Sequence, residues 1–179
     1  MSILKRLLGN AKEVTPASEV EAVRRIAREL EAMEPERARY VAAFAYLLSR
    51  VANADLSVSE EETLKMERIV QALGHLPPDQ AALVVEIAKA QNRLFGGTEN
   101  FLVTRELREV ATREQCLELL DCLFAVSAAD ESISGAEESQ IRQIASELGF
   151  THAELVQARS AYNDKREILK GLPGRPLDR

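Results

Sequence analysis

The sequence predicts an all-α fold, a compact bundle of about seven to eight helices built from two pseudo-symmetric helical repeats. Three observations predict it. Alanine, leucine, glutamate and arginine, all good helix formers, dominate a chain with no Trp, 8 Gly and 4% aromatic residues. Apolar residues recur at spacings of three and four along most of the chain. One short pattern occurs twice, 75 positions apart: Ala54-Asp55-Leu56-Ser57-Val58-Ser59-Glu60-Glu61-Glu62 and Ala129-Asp130-Glu131-Ser132-Ile133-Ser134-Gly135-Ala136-Glu137. Both fit A-D-x-S-[VI]-S-x-x-E.

Residues 1–14 read as a flexible or amphipathic N-terminus, with Ile3, Leu4, Leu7 and Leu8 against Lys5 and Arg6. That is too little apolar area or charge for stable membrane anchoring and supports at most a weak membrane-proximal contact. Ser18 and Glu21 form a candidate capping box ahead of Val20, Val23, Ile26, Leu30 and Met33 at helical spacing. Pro35 suits the first turn of a strongly apolar helix over about 35–54, expected at the centre of the core. A helix over about 60–73 carries Leu64, Ile69 and Leu73, with Gly74 as its C′ residue. Pro77-Pro78-Asp79 opens another, and Gly96-Gly97 punctuates mid-chain. Residues 98–110 and 113–129 predict two further helices, the second again very apolar. A helix then ends at Gly149, and Thr151 and Glu154 cap a last one to about 164. Residues 166–179 read as a tail.

The repetition extends beyond the motif. At the same offset Leu48 matches Leu123, Val51 matches Val126, Ile69 matches Ile144, and Leu73-Gly74 matches Leu148-Gly149. The domain is thus expected over 15–165, with one repeat over about 35–95 and the other over about 98–165.

The formal net charge of −6 opposes generic binding to nucleic-acid phosphates. No stretch approaches the apolar length of about 20 residues that a transmembrane helix needs. The N-terminal apolar run is too short for a signal peptide, so a cytoplasmic location is expected. Cys116 and Cys122, six apart on one predicted helix, would have Cα atoms roughly 9 Å apart. That is too far for a disulfide, and the spacing fits no zinc pattern. They read as buried structural thiols. His75 and His152 lack a metal-ligand context and read as surface or capping residues. No phosphate-cradling Gly-rich loop and no nucleophile elbow is present, so no catalytic residue is nominated.

The motif has two readings. Hard divalent cations such as Ca²⁺ take oxygen ligands, which makes Asp55, Glu62, Asp130 and Glu137 candidate metal ligands. An EF-hand is excluded, because it needs a Gly at position six and a bidentate Glu at twelve, whereas Glu60 is sixth and Glu62 eighth. The alternative needs no ligand. Ser59-x-x-Glu62 and Ser134-x-x-Glu137 are capping boxes, Asp55 and Asp130 close the preceding helices as Asx turns, and Val58 and Ile133 plug the loops into the core.

The helix–Ala-Asp–loop–Ser-x-x-Glu–helix unit, used twice over roughly 35–165, resembles the TerB-like family. These are the tellurite-resistance TerB proteins and their bacterial relatives without assigned activity. The N-terminal domain of some membrane-anchored J-domain co-chaperones is similar. Phe101-Leu102-Val103-Thr104-Arg105-Glu106-Leu107 and Gly149-Phe150-Thr151-His152-Ala153-Glu154-Leu155 carry the same resemblance. It implies a helical domain with a pseudo-repeat, without established catalysis, whose acidic loops are suspected of binding divalent cations. A duplicated helical unit with no catalytic constellation is itself expected to act through an unidentified protein partner, in a stress-response or membrane-proximal assembly. The chain departs from the family after each Asp, where Leu56 and Glu131 stand in place of the usual Gly.

Overall fold

A computed structural model describes residues 17–52, 59–90, 100–130 and 132–165. Within them the chain forms eight α-helices: α1 (Ala17–Glu31), α2 (Pro35–Ala52), α3 (Glu60–Gly74), α4 (Pro78–Lys89), α5 (Asn100–Val110), α6 (Arg113–Ser127), α7 (Gly135–Glu147) and α8 (His152–Ser160). Two short 3₁₀ turns follow α6 and α8, at Ala128–Asp130 and Asn163–Lys165. No strand occurs among the described residues.

The centre is α2. Val41, Ala42, Ala43, Phe44, Ala45, Leu47 and Leu48 are all fully buried, so this helix is apolar around its whole circumference, as a fully surrounded helix must be. It packs chiefly against α4 and α5, and also against α6 and α7. The other very apolar helix, α6, packs on α3, α2, α7 and α8. The two helices that the sequence marks as most apolar therefore meet in the middle, while α1 lies across α2 and α4.

Charged ties run over the surface of this core. Arg39 on α2 donates to Glu106 and Glu109 on α5 at 2.8 and 2.7 Å. Arg50, with its side chain 5% exposed, reaches Glu147 on α7 at 3.1 Å. Arg159 on α8 meets the buried Glu138 of α7 at 3.1 Å. Arg113 is a hub: it donates to the carbonyls of Leu148 and Gly149 where α7 ends, bonds Glu154 at 2.6 Å, and lies 4.0 Å above the Phe150 ring. A cation suits those C-terminal carbonyls.

Several expectations are corrected. α8 stops at Ser160, short of 164, and a turn and a 3₁₀ segment follow. α1 begins at Ala17, which places Ser18 inside its first turn. Leu64 is 52% exposed; the buried face of α3 is Met66, Val70 and Gly74. Gly74 is not a C′ residue. It closes the last turn of α3, and His75 takes the left-handed conformation at φ 49°. A Cβ on Gly74 would lie 3.2 Å from the Phe44 ring and 3.3 Å from Cys122 Sγ, so this glycine lets α3 approach α2 and α6. Gly149, its match at the 75-residue offset, does end a helix. At φ +77° it completes a Schellman motif, with Phe150 N–H on Ala145 O and Gly149 N–H on Ser146 O. Gly96-Gly97, the N-terminal segment 1–14 and the tail 166–179 lie outside the described residues.

Candidate functional site

The motif is built from caps. Ser59 precedes α3 in extended conformation (φ −65°, ψ 164°), and Ser134 precedes α7 in nearly the same one (φ −68°, ψ 158°). In the first copy Glu62 N–H donates to Ser59 Oγ at 3.2 Å, and Ser59 N–H donates to Glu62 Oε2 at 2.7 Å. In the second the corresponding bonds, Glu137 to Ser134 Oγ and Ser134 to Glu137 Oε2, measure 3.2 and 2.8 Å. Each box satisfies two backbone donors that a helix start leaves orphaned. The Ser59 N–H, then the Ser59 hydroxyl, and also Lys65 hold the Glu62 carboxyl below its ordinary range. Between its turn and α7, Ile133 is fully buried as the expected plug.

Of the four nominated ligands, the structure brings Glu62 and Glu137 to one place. Both line a recess of about 80 Å³ between the start of α3, the start of α7 and the end of α6, with Ala52, Lys65, Met66, Val126 and Ala129. Lys65 Nζ donates across this recess to the carbonyl of Ala129. Asp130 ends the 3₁₀ turn after α6. Asp55 and Val58 lie outside the described residues. Among the described residues, no three His, Cys, Asp or Glu side chains are grouped to hold a metal ion.

Lys65 was not nominated from sequence, because no local pattern shows that a lysine one turn after Glu62 reaches the far half of the chain. The Thr112–Gln115 box at the start of α6 was also missed, although T-x-x-Q is as legible as the other caps.

Elsewhere the thiols and histidines keep structural places. Cys116 and Cys122 are free and buried. Burial raises the Cys116 thiol and pushes Cys122 up to about 12, so neither is a thiolate at neutral pH. His75 caps α3 and contacts Glu118 at 2.9 Å. His152 is the first residue of α8.

A second concavity, of about 580 Å³, lies between α1, α3 and α4. Its cations are committed: Arg25 bonds Glu86, and Lys89 donates to Thr63 Oγ1 at 3.0 Å. Glu29, Glu67 and Asp79 also line it, over Ala82 and Leu83.

An all-helical bundle in which α3 and α7 start with matching capping boxes beside one recess defines the class of this protein as a helical module. The model of the family described as Tellurite resistance protein TerB matches residues 41–160, more than half of the chain. The chain belongs to that family. No curated protein matches the chain, and no solved structure does.

Proposed function

We propose that this protein is a non-enzymatic, cytoplasmic TerB-type module that works by docking a protein partner in a tellurite-resistance-like stress response. The groove between α1, α3 and α4 carries this reading. It is about 580 Å³ in volume, the size of a cleft that seats a small ligand or a few side chains. Glu29, Glu67 and Asp79 stand along it, whereas Arg25 and Lys89 are taken up by neighbours. A partner segment bearing lysine or arginine complements that excess of negative charge. Among the described residues no helix is long and apolar enough to cross a membrane, and the reading requires none.

Photo-crosslinking in tellurite-treated cells tests it. A crosslinker at Ala82, in the groove, is expected to give a discrete protein adduct, and one at the exposed Gln157 on α8 is not. Glu29→Lys with Glu67→Lys should reduce the Ala82 adduct at least ten-fold while the protein stays folded. An adduct that survives the charge reversal, or equal adducts from both positions, would remove the groove from the argument.

A further inference from the structure

We propose that α8 and the 3₁₀ turn behind it form a lid that opens as one unit about the Phe150–Thr151 link, with Arg113 of α6 as its catch. The lid has little apolar hold of its own. Of the nine residues of α8 only Leu155 is buried. Ala158 and Tyr162 are half-buried against the core, and Tyr162 is stacked on Phe124 of α6 at 5.7 Å. The rest of the hold is charge. Arg113 bonds Glu154 at 2.6 Å, and Arg159 bonds Glu138 of α7 at 3.1 Å. A segment with so few buried apolar groups opens at a lower free energy than the core.

Both ion pairs are placed to release. The side chains of Arg113 and Glu154 are 46% and 35% exposed, so water and salt weaken their attraction. Glu138 is buried, but Arg142 on its own helix lies 3.7 Å away, and its carboxylate keeps that cation when Arg159 departs. Stranding a buried charge is what makes such a pair costly to break, and here that cost is reduced. Arg113 spans the pivot. On the fixed side it donates to the carbonyls of Leu148 and Gly149 and covers the Phe150 ring. On the moving side it holds Glu154, whose capping box with Thr151 lies wholly beyond the pivot. The lid therefore swings with its cap intact. Opening draws the Tyr162 ring off Phe124, which is 1% exposed when the lid is shut, and bares an apolar ring of α6.

Native-state hydrogen exchange of the full chain, resolved amide by amide, tests this. The amides of Leu155 to Ser160 are expected to share one opening equilibrium, at least ten-fold more populated than that of Val41 to Leu48 on α2. Raising the salt from about 0.05 to about 1 M should speed their exchange about three-fold, by screening the exposed pair, and leave α2 unchanged. Arg113→Gln should do the same at low salt and abolish the salt response. Glu154→Gln should add nothing in the Arg113→Gln background, since both act through one contact. Protection that falls off residue by residue toward Ser160 would mean a fraying end and no lid. Exchange of α8 at the α2 rate, or indifference to both salt and Arg113→Gln, overturns the proposal as well. Should Arg113→Gln fail to fold, the salt arm on the wild type decides. The groove crosslink at Ala82 lies on other helices, so the two ideas fail separately.

Discussion

At the residue scale, the same letter in two matched positions serves two physical ends. Gly74 is limited in size by its neighbours: Phe44 and Cys122 stand within 3.3 Å of where a Cβ would be. Gly149 is required by its backbone, since φ +77° disfavours any L side chain. Gly74→Ala should therefore destabilise by overpacking, at about 1–3 kcal/mol, and a smaller partner, Phe44→Leu, should recover part of the loss. Gly149→Ala meets nothing closer than Arg108 at 3.9 Å and should cost about 1–2 kcal/mol through left-handed strain, with no rescue by any neighbour. Urea denaturation of the single and double variants separates the two causes, because only the Gly74 change should couple to Phe44.

At the scale of elements, the helix starts carry much of the specificity of the chain. Four described helices, α3, α6, α7 and α8, begin with a reciprocal box. The α8 box is also tied to another helix. Glu154 accepts from Arg113 at 2.6 Å as well as from Thr151 N–H at 2.7 Å. The Arg113 guanidinium first, and then the Thr151 donors, hold its carboxyl down at about 2, against an ordinary 4.5. A depressed carboxyl stabilises the fold above its unfolded value and loses that contribution as pH falls toward its folded one. The melting temperature should consequently decline between about pH 5 and pH 2 more steeply for the wild type than for Glu154→Gln. The two curves should converge at the acid end. Circular dichroism melts across that range check it, and parallel curves would mean that the Arg113 pair is not felt in solution.

At the scale of the molecule, α2 and α6 make one core out of two halves. α2 touches α4 on its own side of the chain and α5, α6 and α7 on the other, and Phe44 is fully buried among them. Phe44→Ala should cost about 3–5 kcal/mol. It should lower the whole urea transition without splitting it, so that tyrosine fluorescence, from Tyr40 and Tyr46 on α2 and from Tyr162, stacked on Phe124 at 5.7 Å, and helical circular dichroism report one midpoint. Two separate midpoints would show that the halves fold independently.

The sequence by itself determined the helical class, the places of most helix starts, the apolar identity of α2 and α6, and the family of the chain. These are legible because they are local: a capping box spans four residues and amphipathic spacing spans about two turns. It misread Gly74, Leu64 and the end of α8, where the outcome depends on what lies opposite in space. It nominated Glu62 and Glu137 without being able to say that they share a recess. It gave no sign that Lys65 crosses that recess to Ala129, or that Arg113 binds the end of α7. Only the tertiary structure decided these points, because each joins residues dozens of positions apart, and the side chain that reaches a distant carbonyl is chosen by packing rather than by its neighbours in the chain.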